Sequence, residues 1–464
     1  MPIHKDFHPQ YNKNVDMWVK CEDTFQGQEA IHAAGEKYLP KLTGQTTHEY
    51  RAYKHRALFY SITAKSISGM VGMATAKAPV LNYPASMKYY FEDNSGMQFY
   101  ELFISTLTQI ILKGRTGVFV DLGVEGGKYP YTYIYEAESI VNWSTDDDGK
   151  LTMVVLKECI DVSDYNDKFS TNEVTRFRCL YLNDAGFYEC EVYNSKGESI
   201  TGVIQPTISG QRIDYIPFYI AGPSGLNVRV EKSPTIDMVN VNHSHYLSSA
   251  DLEHGRHFTG LPTPIIIGAD GDKKLSIGST TAWGLPIGGD AKYLEFTGQG
   301  LKTLENALSQ KEAQLASLSA RVLDNSGNGS ESADVVKLRY MSETATLTSI
   351  IRSIESLLNK VYNQVGKYIG ITSEVSISLD KEFVSTHLTP AEIKELSTAL
   401  LAGTMSKESY IYNMRRGGRL SPNTSDTQEM AALTFQVAVA APVTAPVPVT
   451  GKDLNSNTNQ QEQL

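Results

Sequence analysis

Apolar residues recur at three- and four-residue steps through the longest helical pattern in the chain, residues 334–369. Leu347, Ile350, Ile351, Ile354, Leu357, Leu358, Val361 and Val365 form one stripe, which predicts a helix with that stripe buried. The segment has no proline, and its first glycine is Gly366. At 1.5 Å per residue it would run about 50 Å, long for a single domain. Directly before it the pattern stops. Asp324, Asn325, Ser326, Gly327, Asn328, Gly329, Ser330, Glu331 and Ser332 offer nothing to a core. The glycines free the backbone, and the polar side chains bond locally. The expectation is a mobile polar loop presented by a rigid helix.

The N-terminal third reads as helices. Residues 14–35 carry Val15, Trp18, Val19, Phe25 and Ile31, with Gly27 and Gly35 as weak points where the helix divides. Thr46 and Glu49 have the spacing of a capping box before a helix over 47–75, with Ala52, Ala57, Phe59, Ile62, Ile67 and Val71 inward. Pro79 and Pro84 stop it. A third helix over 96–113 has Leu102, Phe103, Leu107, Ile110 and Ile111 as its stripe. The middle is β-rich: a buried strand at 117–121, an aromatic and β-branched strand at 131–143, and hairpins turning at 146–149 and 183–186. Three successive aspartates, Asp146 to Asp148, precede Gly149; neighbouring aspartates rarely converge on a metal, so they read as a turn. Cys179 and Cys190 are expected to face each other as reduced thiols.

At Ser233 and Pro234 the helical period returns, with Ser233 as cap, Pro234 in the first turn and Asp237 at the positive end of the dipole. This helix, to His257, carries His243, His245, Asp251, Glu253, His254 and His257. No third ligand sits at a helix-compatible position beside His254 and His257, so a polar interface or wet channel wall accounts for them better than a metal. Residues 258–296 read as short strands and turns, including 264–268 and 293–296; Asp270 and Asp272 lack the rest of a calcium loop. Residues 301–322 form a clean amphipathic helix. After the long helix come a strand at 375–379, a helix capped at Thr389, and another capped at Ser406 that ends in Arg415, Arg416 and Arg419. Those arginines are the best basic patch, a candidate contact for a partner or DNA. From about residue 435 the chain turns Ala/Val/Pro-rich and then Asn/Gln-rich, the composition of a disordered tail.

Composition narrows the function classes. The 464 residues support two or three structural units. A net charge of −10 argues against a nucleic-acid clamp but permits a wall past which DNA slides. No apolar run approaches 18 residues, the start has no apolar leader, and four cysteines outside any CxxC spacing fit a reducing cytoplasm. No phosphate loop, dinucleotide fingerprint or nucleophile elbow occurs, so no catalytic residue, cofactor or metal is assigned.

The ordered series resembles the portal proteins of tailed bacteriophages. Tyr38 to Pro40 with the helix of 49–57, Gly114 to Asp121 followed by 130–143, Ser249 to His254 running into 261–264, and Leu323 with its glycine loop carry the resemblance over roughly residues 15–430. It implies an α+β, portal-like fold with long helices, a stem helix and a long kinked wing-to-crown helix among them. It implies residues 1–232 as a helical and β-rich wing, 233–257 as stem helix and 258–298 as a small β clip with its return. Residues 299–323 would be a wing helix, 324–333 the tunnel loop, 334–387 the long helix and strand, and 388–434 a helical crown, with the tail following. Larger members of the family return from the clip along a second long stem helix; here nothing helical is evident between Pro264 and Gly298, which implies a short or asymmetric stem. By resemblance the chain is a non-enzymatic ring subunit, usually one of about twelve, at the capsid vertex of a virion made in the host cytoplasm. Double-stranded DNA would pass through it unspecifically, and its partners would be terminase, head–tail adaptor or tail proteins and the major capsid protein, with no membrane. His243, Asp251, Glu253, His254 and His257 would then fall on the channel wall. The alternatives are another virion structural or adaptor protein, or a metal-dependent enzyme with an unrecognised acidic site.

Overall fold

The stripe of residues 347–365 is buried along its whole length, and one unit of the molecule is assembled around it. The structure is a computed structural model that describes residues 6–92, 99–122, 130–163, 169, 171–260, 263–268, 285, 287–294, 299–323, 333–381, 383, 388, 390–420 and 427–432. The chain divides into two units, Met1–Phe383 and Val384–Leu464.

The first unit opens with helices α1 (Pro9–Gln26), α2 (Gln28–Ala34), α3 (Thr47–Arg56) and α4 (Ile62–Ala74). Strand β1 (Val80–Asn82), the short α5 (Lys88–Phe91) and α6 (Phe99–Lys113) follow. Then come β2 (Thr116–Asp121), β3 (Tyr131–Glu136), β4 (Ile140–Thr145), β5 (Leu151–Ser163), β6 (Thr171–Leu182), β7 (Tyr188–Asn194), β8 (Thr207–Ile208), β9 (Gln211–Arg212) and β10 (Phe218–Ala221). Helix α7 (Ile236–Thr259), strands β11 (Thr263–Ile267) and β12 (Asp290–Leu294), helices α8 (Gln299–Leu323) and α9 (Ala333–Tyr368) and strand β13 (Ser376–Ser378) complete it. Every strand pairing among the described residues is antiparallel: β10-β2-β3, the meander β4-β5-β6-β7, and the pairs β1-β13, β8-β9 and β11-β12. Helices beside antiparallel sheets make the fold α+β.

Three cores hold this unit. The largest joins α4, α6 and α9 to β2, β13 and the start of α7. The second lies between the sheets and α1, around Trp18, Trp143 and Phe218. The third is small and aromatic, with Tyr38, Tyr50, Tyr53 and Phe59 closing on Tyr246 and Ala250 of α7. The second unit contains α10 (Pro390–Leu401) and α11 (Lys407–Arg416), which pack on each other. Ser406 caps α11 by accepting from the Ser409 amide at 3.1 Å, as its spacing predicts.

Several expectations meet the structure directly. Thr46 and Glu49 form the reciprocal capping box, and the chain breaks at Gly27, where φ is +87°. The Asp146 turn closes with the Asp146 amide on the Lys150 carbonyl at 2.9 Å. Others are corrected. The helix expected over 47–75 is two helices, because the chain leaves helical geometry at Ala57, the Phe59 amide donates to Gln28 and the Tyr60 carbonyl accepts from Asn242. The strand expected over 131–143 is two strands in two sheets, separated by a 3-10 turn at Ala137–Ser139. Ser233 does not cap α7 as expected: its hydroxyl donates to the Leu112 carbonyl and accepts from the Thr235 amide, and the helix starts at Ile236. Register pairs Cys179 with Glu191 and Cys190 with Leu180, which puts the two free thiols on opposite faces of the sheet rather than opposite each other. The tail beyond residue 432 lies outside the described residues.

Candidate functional site

The polar residues singled out on α7 belong to an arm of two antiparallel helices. Contacts pair late residues of α7 with early residues of α8. Arg256 donates to Glu305 at 3.0 Å, Lys311 reaches the Ser244 carbonyl at 2.9 Å and the Ser248 hydroxyl at 2.5 Å, and His245 meets Glu312 at 3.4 Å. At Gly255 a Cβ would stand 2.4 Å from a Leu301 methyl, so glycine lets α8 close on α7 there. Between the two helices the chain forms the β11–β12 hairpin, with Thr263 opposite Leu294 and Ile267 opposite Asp290. Helix α8, expected as a wing helix, follows the hairpin in the chain and packs antiparallel on α7. Its apolar repeat was visible in the sequence, but its partner was not, because an amphipathic stripe does not name the face it packs on.

The arm is fixed at its base by buried polar bonds. Asn242 donates from Nδ2 to the Tyr60 carbonyl at 2.9 Å. Its Oδ1 accepts from the Thr63 amide at 3.3 Å and hydroxyl at 2.8 Å. One side chain of α7 thus holds both the connector at Tyr60 and the first turn of α4 at Thr63. His243 is buried, with Nε2 2.7 Å from the Thr24 hydroxyl of α1 and its ring 4.6 Å from that of Tyr38. The Thr24 hydroxyl spends its proton on the Lys20 carbonyl at 2.6 Å, so Nε2 of His243 is the donor. Burial, reinforced by Lys20, lowers the His243 pKa to about 4.

The remaining predicted residues lie further along α7. Asp251 accepts from the Tyr53 hydroxyl at 2.8 Å, and the Tyr53 ring stands edge-on to His254 at 5.0 Å. Burial and then Arg56 lower the His254 pKa. Glu253 pairs with Arg256 at 2.8 Å, and His257 is exposed near the end of the helix. The structure brings Asp251 and His254 together around Tyr53 and places His243 in the interior of its own unit.

Residues Asp324, Asn325, Ser326, Gly327, Asn328, Gly329, Ser330, Glu331 and Ser332 lie outside the described residues; they link Leu323, the end of α8, to Ala333, the start of α9. In the second unit Arg415 and Arg416 end α11, while Arg419 donates to the Leu388 carbonyl at 2.6 Å and is tied into its own fold.

Sequence reasoning missed Lys113 altogether. It is wholly buried, with its ammonium 2.9 Å from Glu22, 2.7 Å from Glu136 and 2.9 Å from Glu138. Among the described residues no group of three or more His, Cys, Asp or Glu side chains could hold a metal ion, and no helix is long and apolar enough to cross a membrane.

Residues 234–369, which run from the start of α7 to the end of α9, match a family described only as a domain of unknown function (DUF4055). No curated protein matches the chain. Among solved structures, a chain from the virion of a native gene transfer agent (GTA) particle is similar at 12% identity and a TM-score of 0.39, over 82% of this chain and 98% of that one. A chain from the neck of an empty GTA particle computed with C6 symmetry is similar at 14% identity and a TM-score of 0.37, over 86% and 100%. One from the neck of a native GTA particle computed with C12 symmetry is similar at 14% identity and a TM-score of 0.37, over 75% and 88%. At these TM-scores the likeness fixes neither fold nor function.

Proposed function

We propose that the chain is a portal-type subunit, which assembles as a ring of about twelve copies at one capsid vertex and forms the channel through which DNA is packaged and ejected. The observation that supports this reading best is the arm: helix α7, a β-hairpin, and helix α8 returning antiparallel to it. It follows the order the resemblance implies, and α8, expected as a wing helix, takes the place of the second stem helix in this reading. In this reading α7 and α8 are the stem, β11–β12 the clip, and residues 324–332 the tunnel loop carried by α9. Glu253 and His257, one turn apart on the same face of α7, lie toward the channel, while Asp251 and His254 at Tyr53 and His243 at Thr24 secure the stem to its own unit. The ring docks terminase on one side and adaptor or tail proteins on the other and is held by the major capsid protein. Arg415 and Arg416 are candidate contacts for those partners. No chemistry is assigned to it.

The electrostatics suit a passage. Twelve chains of −10 each carry about −120, which repels the DNA backbone as a whole. A basic wall would instead hold the duplex at every phosphate contact. Asp324, Glu331 and neutral Asn and Ser between them can touch DNA sterically without gripping it.

Electron microscopy of the purified full chain tests the assembly: closed rings with a central opening are expected, and a lone subunit or a small adaptor-like ring without a stem counts against it. The double change Gly327→Pro and Gly329→Pro tests the loop. It should leave ring assembly intact and lower the DNA packaged per particle; full packaging would remove the loop from the mechanism.

A further inference from the structure

Arg115 sits at the turn from α6 into β2 and is 1% exposed. The preceding Gly114 has φ +75°, and a Cβ there would come within 3.0 Å of the Lys232 carbonyl oxygen, so the turn is closed tightly against the stretch that leads into α7. The Arg115 guanidinium is held on two sides. Its Nη1 donates to the Val228 carbonyl at 2.7 Å, and its central carbon lies 4.1 Å from the centre of the Trp143 ring. His8 stacks on the same indole at 3.9 Å.

The third side meets no hydrogen-bond partner among the described residues. Nε and Nη2 are both buried, and neither has a hydrogen-bond partner among the described residues. No ion pair to Arg115 forms among them either. Glu231, the acidic residue nearest in the 227–233 stretch, is engaged by Asn227 at 2.6 Å and by the Ser224 hydroxyl at 2.8 Å. Glu138, on the turn before β4, is engaged by Lys113. The position of these unmet donors matters. Nε and Nη2 form one edge of the guanidinium, the edge that takes a carboxylate or phosphate through two parallel hydrogen bonds. A water could satisfy the N–H groups but would leave a cation buried without a counter-charge, and buried charge is tolerated when it is paired. Burial lowers the Arg115 pKa only to about 9, so the cation persists at neutral pH.

We propose that the Nε and Nη2 edge of Arg115 is a binding site for a small oxyanion, a phosphate or a carboxylate taken from solution. The anion neutralises the guanidinium that already ties the start of β2 to Val228 and to Trp143 of β4. It thereby stiffens the base from which α7 departs.

The test uses the full-length protein. Thermal unfolding is followed at fixed pH in inorganic phosphate, in acetate and in chloride at equal ionic strength. Wild type should gain several degrees in Tm in one or both oxyanions relative to chloride, and the gain should rise with the logarithm of concentration as for a ligand of the native state. Phosphate and acetate arms separate the two anion types. Arg115→Lys keeps the charge but lacks the two-pronged edge, and should lose most of the oxyanion-specific shift while retaining native circular dichroism. An experimental structure of wild type in phosphate should show density for an anion against Nε and Nη2, which decides the matter even where the variant fails to fold. Equal Tm in all three salts, an undiminished shift in Arg115→Lys, or water alone at that edge would overturn the proposal.

Discussion

Lys113 ends α6 with its ammonium wholly buried among three carboxylates that are each partly exposed. The partners are unequal in what they contribute. Removing the cation leaves Glu22, Glu136 and Glu138 crowded without a counter-charge, so Lys113→Met should cost about 3 kcal/mol. Glu136 is nearly half exposed, and Glu136→Gln should cost less than about 1 kcal/mol because solvent screens that pair. Urea midpoints of the two variants check this, and equal losses would deny Lys113 its central place. His243 gives a pH dependence with a definite sign. Burial first, then Lys20 of α1, with Lys37 acting the same way and Asp23 opposing, hold its pKa at about 4, below its ordinary 6.5. The native state therefore refuses a proton that the unfolded chain accepts below pH 6.5. The stabilisation is complete above 6.5 and is lost as pH falls toward 4, amounting to about 2 kcal/mol by pH 5. His243→Gln, which keeps a donor for Thr24 but cannot titrate, should lose less stability than wild type between pH 7 and pH 5. An identical loss would mean that other groups govern acid sensitivity. Neither arrangement was legible beforehand. A lysine ending an amphipathic helix reads as solvated, and a histidine on a polar helix reads as exposed, until the fold supplies Glu22, Glu136 and Glu138 for one and Thr24 for the other.

At the scale of elements, what could be read in advance is what is encoded within a few residues. The stripe of α9, the repeat of α8, the capping box at Thr46, the Ser406 cap and the turn at Asp146 all stand where their spacing puts them. What failed depends on distant partners. The break between α3 and α4 has no glycine or proline to announce it; the signal is Asn242, 179 residues away from Thr63, which bonds the Tyr60 carbonyl and holds the first turn of α4. The single strand expected across 131–143 failed similarly. Its residues all suit a strand, but Tyr135 belongs to the sheet of β2 and Trp143 to that of β5. The arm was half legible: both helices and the hairpin strands were visible, but their antiparallel packing was not. Asn242 is where this can be tested. Asn242→Ala takes the acceptor from Thr63 and leaves the Tyr60 carbonyl unmet, and should cost about 2 kcal/mol. Asn242→Asp keeps an acceptor for Thr63 but sets an unpaired carboxylate against the Tyr60 carbonyl at a fully buried position, and should cost at least as much. Calorimetry on both variants would show it, and a harmless alanine would mean that α3 and α4 separate for some other reason.

For the whole molecule, the proposed ring turns a modest charge on each chain into a large one. Copies of net charge −10 repel one another, and the repulsion grows with each copy added. Closure must then rest on apolar and short-range polar contacts strong enough to overcome it. Salt separates these contributions. Raising ionic strength from 0.05 to 0.5 M shortens the screening length from about 14 Å to about 4 Å, which relieves repulsion between whole subunits while hardly touching buried apolar contacts. A ring closed against its own net charge should become more populated at higher salt, and at physiological salt it should not retain duplex DNA on its surface, since a negative body offers the phosphates no general attraction. Native mass measurement across that salt range, with a DNA retention assay beside it, reads both effects. Rings that fall apart as salt rises would show that opposite charges across the interface hold them. Tight, salt-sensitive DNA retention would show a basic grip where a slippery wall is proposed.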